Sequence, residues 1–201
     1  MATDTTTVNW NYDGKPNYAF GTGATRLEQL LGTSSTLLGL AIFAYLFVVQ
    51  AFPWALWQYL LGALLAADTL GGAVANSLNS CKRFYHSPIQ PVDAPITRIL
   101  KQHMLFTVLH IHPILIYTLY PGAIWWYGFV WYAALLASTA LVVQVPLYIQ
   151  RPVAVFCIVL AVLAASSLVP AVPGFAWLLP TLFLKIVYGH AVQEEPYRPT
   201  S

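Results

Sequence analysis

The chain has 201 residues, of which 58% are hydrophobic and only 8% are charged. An average soluble domain carries about 25% charged residues, so this composition excludes an ordinary water-soluble fold. It predicts an all-α, polytopic integral membrane protein. A net charge of +2 gives no basic patch for nucleic acid, and two cysteines provide neither a disulfide framework nor a cysteine metal site.

Residues 1–33 read as a polar N-terminal segment, irregular to residue 23. Thr25 and Glu28 then have the spacing of a capping box, and Leu27, Leu30 and Leu31 share a face ending at Gly32. A short helix lying on the membrane surface is expected there. Residues 34–190 form the membrane domain, divided into six transmembrane helices of about 20 residues each. The first runs from Ser34 to Gln50 and the second from Trp54 to Ser80. The third runs from Pro95 to Pro121, and the fourth from Ile124 to Leu147. The fifth covers Pro152 to Leu168 and the sixth Phe175 to His190, leaving residues 191–201 as a polar C-terminal tail.

This division puts Lys15, Arg26, Lys82, Arg83, Arg98, Lys101, Arg151, Lys185 and Arg198 on one side. The three opposite connections hold no basic residue. By the positive-inside rule that side, with both termini, is cytosolic. A bacterial inner membrane or a eukaryotic endomembrane is the expected location. Trp54, Trp57, Trp125, Trp126 and Trp177 gather at the opposite side, where an interfacial aromatic belt is expected.

Asp68 is the single carboxylate inside the expected spans. A charged side chain at the bilayer centre costs about 2.5–3.5 kcal/mol on insertion scales, so it marks a partner or a cavity. On a regular helix Leu61, Leu64, Leu65, Asp68, Gly71, Gly72, Ala75 and Asn79 share one side, with Asn76 at its edge. On the third span His103, Thr107, His110 and Tyr117 share a face, and His112, followed by Pro113, points away. A polar cavity opening to the cytosolic leaflet is expected between spans two, three and six.

Within it, Asp68 and His110 form the candidate catalytic pair. Burial favours the neutral acid at Asp68, which then donates a proton, while His110 accepts or relays one. Asn76, Asn79, His103, Thr107, Tyr117, Lys82 and Arg83 are the candidate substrate-binding residues. Asp68, His86, His110 and His190 are candidate ligands for a divalent metal, a reading the spacing does not favour. His103 and His110 are about 10 Å apart on an unbroken helix, and no His-x-x-x-His or Glu-x-x-His occurs. The expected function is a membrane-embedded enzyme that isomerises, cyclises or hydrolyses a lipid or isoprenoid-type substrate from the cytosolic leaflet. Its partners are then the bilayer and that lipophilic small molecule. Two other classes fit the same residues: a proton-linked carrier or channel using the cavity, and a non-catalytic subunit of a membrane complex. In the enzyme reading Asp68→Asn and His110→Ala remove turnover and leave stability nearly intact.

Plainer roles are also available to these residues. Asp68 can be a helix contact bonded to Asn76, and Lys82 with Arg83 can anchor lipid headgroups. Lys185 can snorkel to the interface or pair with Asp68. His112-Pro113 marks a kink, His86 and His190 can be interfacial, and Glu194 with Glu195 can be a solvated tail.

Overall fold

The computed structural model describes residues 6–11 and 16–199. Lys15, counted among the basic residues above, lies outside them. Apart from one two-stranded sheet, the described chain is helical. Four helices are long and apolar enough to cross a membrane, or five if a sharply bent pair counts as one span. These helices are consistent with a multi-pass membrane protein, since in hydrocarbon only a helix or a closed barrel satisfies its own backbone polar groups.

Strand β1 (Thr6–Val8) pairs antiparallel with β2 (Tyr197–Pro199) near the other terminus. Both terminal segments therefore meet at one end of the bundle. The irregular segment and the polar tail expected from sequence are tied together instead.

Helix α1 (Arg26–Gln50) is continuous, and this corrects the division into a surface helix and a span beginning at Ser34. Gly32 sits within it. The expected capping box is present: Glu28 N donates to Thr25 Oγ1 at 3.2 Å and Thr25 N donates to Glu28 Oε2 at 2.8 Å. Glu28 also accepts from Ser80 N at 3.0 Å, which fixes the start of α1 to the chain leaving the second span. Gly32, Gly39 and Phe43 are its buried residues, and a β-carbon at Gly39 would lie 2.9 Å from Leu70 Cβ. Small residues thus bring α1 close to its neighbour, as they do between helices in bilayers.

Helix α2 (Leu56–Ala75) ends before Ser80 and contains a π-helical turn at Ala67–Gly71. Helix α3 (Asn79–His86) starts separately, so Asn79 does not share a helix face with Asp68. Helix α4 (Pro95–Lys101) is bent by 92° against α5 (His103–Leu119), which corrects the single straight third span. A second irregularity interrupts α5 at His110 and Ile111. Pro113 explains it, since its ring excludes a hydrogen bond to the Leu109 carbonyl and clashes with that group.

Helices α6 (Trp126–Gln144) and α7 (Leu147–Ser167) form an antiparallel pair across a two-residue connection. Arg151 consequently lies in the first turns of α7 and not between spans. Helix α8 (Leu178–His190) is shorter, and its second half, Leu184–His190, is π-helical.

An aromatic cluster fills the end opposite the sheet. There Trp54 stacks on Phe52 and Phe175, at 4.6 and 5.3 Å between ring centroids. Trp54 is only 9% exposed, so it belongs to this core rather than to the expected belt, whereas Trp57, Trp125 and Trp126 are exposed. Gln58 Nε2 donates to Leu119 O, and Tyr120 OH donates to Gln58 O, both at 2.6 Å, which ties α2 to the end of α5. The site described next lies along α2 from this junction toward the sheet.

Candidate functional site

Asp68 stands in the π turn of α2, and Lys185 stands in the π-helical half of α8 facing it. A π turn rotates the following residues around the helix and recurs at functional sites. Here it aims a carboxylate across the helix contact. Gly72 makes room for the partner: a β-carbon there would lie 2.5 Å from Lys185 Cε. Lys185 Nζ then donates to Asp68 Oδ2 at 2.6 Å. This resolves the two sequence readings of Lys185 in favour of pairing. It also makes Asp68 an ion-paired carboxylate, not the neutral acid expected from burial alone.

His112 supplies a second bond to the same oxygen, with its Nε2 2.8 Å from Asp68 Oδ2. The carboxylate can only accept, so His112 donates from Nε2. The unbroken-helix reading turned His112 away from His110; the break at His110 and Ile111 brings both rings to one place. They stack at 5.2 Å with 11° between their planes. His110 Nδ1 donates to Phe106 O at 2.7 Å, which leaves the Nε2 lone pair 4.0 Å from Asp68 Oδ2. Two acceptors at that separation leave a place for a proton or a donor group.

Asp68 is 43% exposed in its side chain, and its exposure is toward two cavities. The first, about 520 Å3, is walled by Asp68, Lys185, His110, Asn76 and Tyr85, with Phe20 of the N-terminal segment at its edge. Asn76 is held on both sides, donating to Lys185 O at 3.2 Å and accepting from Tyr85 OH at 2.9 Å. The second, about 360 Å3, is lined by Leu61, Leu64, Leu65 and Leu115 beside Asp68, His110 and His112. Both volumes fall in the roughly 300–1,000 Å3 range of small-molecule sites.

The remaining candidates lie elsewhere. Thr107 Oγ1 donates to His103 O at 2.8 Å and lies 3.3 Å from Thr139 Oγ1, so it packs α5 against α6. Tyr117 donates to Pro170 O at 3.2 Å, beyond the site. Asn79 accepts from Tyr197 N at 3.0 Å and anchors β2. Lys82 and Arg83 are 1% and 2% exposed, which overturns the headgroup-anchor reading. Lys82 Nζ donates to the carbonyls of Tyr188, Gly189 and Val192 at 3.1, 2.6 and 2.8 Å, capping the end of α8. Burial draws the Lys82 ammonium down to about 8, against the opposing pull of Glu194 at 3.5 Å. Glu194 also accepts from Tyr188 OH at 2.8 Å, so it is engaged and not a free tail residue. Arg83 Nε and Nη1 donate to Asn9 O and Thr22 O, both at 2.6 Å, fastening the N-terminal segment.

His86, His103 and His190 form a separate group. His190 Nε2 donates to Leu100 O at 2.9 Å, so its Nδ1 accepts from His103 Nδ1 at 3.1 Å when both rings are neutral. The His86 and His103 rings lie 4.7 Å apart between centroids. Burial, with His103 and Lys82 nearby, holds His86 down to about 3. Phe106 stacks on His190 at 3.8 Å and meets His110 at a 47° tilt at 4.5 Å, separating this group from Asp68. The four candidate metal ligands are thus divided, His86 and His190 in one cluster and Asp68 and His110 in the other. Among the described residues no group of three His, Cys, Asp or Glu side chains is arranged to hold a metal ion.

The sequence reading left two residues out of the candidate site, His112 and Lys185, although it gave pairing with Asp68 as one role of Lys185. Pro113 carried the signal for the first, because the break it causes is what returns His112 to the site. The π turns have no signature in composition or period. No family model, curated protein or solved structure matches the chain.

Proposed function

We propose that the chain is a six-span membrane enzyme that performs acid/base chemistry on a lipophilic substrate reached from the cytosolic leaflet. Counting the bent α4–α5 pair and the short α8 as spans gives six crossings. Pairing of β1 with β2 at one end of the bundle supports an even number. The basic residues of α3 and α4 support a cytosolic assignment for that end.

The observation that carries the catalytic reading is the lone pair of His110 Nε2 at 4.0 Å from Asp68, beside a cavity of about 520 Å3. His110 acts as the base, its tautomer fixed by the Phe106 carbonyl. Lys185 is the group that stabilises negative charge as it develops on a substrate oxygen. In an isomerisation His110 removes a proton from carbon and returns it to another, and no co-reactant is consumed. Asp68 holds Lys185 and His112 in position. The test is reconstituted protein incubated with a membrane lipid extract in D2O, followed by lipid mass spectrometry. The expected result is a lipid that gains carbon-bound deuterium or changes mass, with loss of that signal in His110→Ala. Native protein that changes no lipid, or a fully active His110→Ala variant, would overturn the proposal.

A second reading draws on the two cavities that meet at Asp68 and His110. A proton-linked carrier uses one carboxylate reached alternately from two sides. Substrate-dependent proton flux in liposomes with no chemical change in the substrate distinguishes it.

A further inference from the structure

The charges at Asp68 and Lys185 cancel within 2.6 Å, and the neighbouring imidazoles of His110 and His112 complete a site without net charge when they are neutral. An ionic headgroup brought here loses its hydration and meets no uncompensated counter-charge, which is costly in a low-dielectric site. Yet the site has hydrogen-bonding capacity to spare. His112 and Lys185 both engage Oδ2, and among the described residues no hydrogen bond reaches Asp68 Oδ1. Lys185 has three donors, and its one side-chain hydrogen bond among those residues is to Asp68. Asp68 Oδ1, the spare hydrogens of Lys185 Nζ and the nearby His110 Nε2 lone pair therefore leave both acceptors and donors beside the cavity, which suits a neutral oxygen group.

The second cavity supplies the apolar half. It begins at Asp68, His110 and His112 and continues between Leu61, Leu65 and Leu115. Its rim is formed by Leu64 and Leu109, 65% and 59% exposed, so it opens sideways between α2 and α5 on the lipid-facing surface. Such a slot is continuous with bilayer hydrocarbon.

Resting on the reading of this site as one for a lipophilic substrate, we infer that its ligand is an uncharged, single-chain lipid bearing a hydroxyl or carbonyl oxygen. That oxygen lies between Lys185 Nζ and Asp68 Oδ1, and the chain runs out through the leucine slot. Diphosphates, phospholipids and quaternary amines are disfavoured by the same charge balance.

The test uses the full chain in phosphatidylcholine nanodiscs and a dodecanol probe carrying a mid-chain diazirine. Unlabelled 1-dodecanol or 2-dodecanone is expected to cut photolabelling at least tenfold. At equal concentration dodecyl phosphate and dodecyltrimethylammonium cut it less than twofold. The label maps to residues 61–65 and 109–115. Asp68→Asn leaves a net positive site and makes dodecyl phosphate an effective competitor. Lys185→Met leaves a net negative site and does the same for dodecyltrimethylammonium. Leu61→Trp fills the slot and weakens competition by 1-dodecanol more than by 1-octanol. Ionic amphiphiles that compete as well as the alcohol in the native protein would overturn the inference. So would label spread over all lipid-facing helices with no competition. Because this measures binding, saturable alcohol binding without deuterium incorporation retires the enzyme reading and leaves the ligand assignment standing.

Discussion

The ion pair between α2 and α8 makes an asymmetric prediction. Lys185 is 4% exposed in its side chain and Asp68 43%. Removing one partner of a buried pair costs about 3–5 kcal/mol, because the other charge is left without compensation. Asp68→Asn imposes that cost on Lys185, about 3 kcal/mol after allowing for the cavity beside it. Lys185→Met leaves a carboxylate that still has His112 at 2.8 Å and is 43% exposed toward the cavities, so its cost is nearer that of an exposed pair, about 1 kcal/mol. For a chain of this size about 1 kcal/mol lowers Tm by roughly 2–4 °C, so the expected losses are about 6–12 °C and about 2–4 °C. The double variant should recover part of the loss, with a coupling of about 2 kcal/mol. Tryptophan fluorescence during thermal unfolding in mixed micelles reads all four forms. Equal losses, the reverse order, or strict additivity would refute the reasoning. The same argument withdraws the expectation that Asp68→Asn is neutral for stability, and it makes His110→Ala the cleaner probe of chemistry.

Gly72→Ala sets a β-carbon against the Lys185 side chain, displacing the ammonium from Asp68. It should cost about 1–3 kcal/mol and lower turnover without touching the His110 ring, which unfolding and deuterium incorporation together detect. Lys82→Met leaves three carbonyls at the end of α8 without their donor and should destabilise by about 2 kcal/mol, with faster hydrogen exchange in residues 188–192 as the readout. His86 contributes to the acid limit. Its folded value of about 3 lies below the ordinary 6.5, so the unfolded chain binds the proton more readily between them. Stability from this residue is full above pH 6.5 and falls as the pH drops toward 3. Melting temperatures measured from pH 7 to 4 should decline, and His86→Phe should flatten that decline.

Much of the scaffold was legible in the sequence because hydrocarbon leaves the backbone few options. Long apolar runs had to be helices, the Thr25 and Glu28 spacing had to cap one, and a carboxylate in the middle of a span had to have partners. The boundaries were less legible: Gly32 looked like an end and is a packing residue, while the run from Trp54 to Ser80 looked continuous and breaks after Ala75. Asp68, His110 and Asn76 do wall one cavity. Which side chains surround Asp68 was decided by tertiary structure. Helical periodicity assumes a constant turn, and the π turns at Asp68 and Lys185 and the break before Pro113 each abolish that constancy. A rotation of one residue changes which partner a side chain meets, so His112 could come to the carboxylate only once α2, α5 and α8 had packed together.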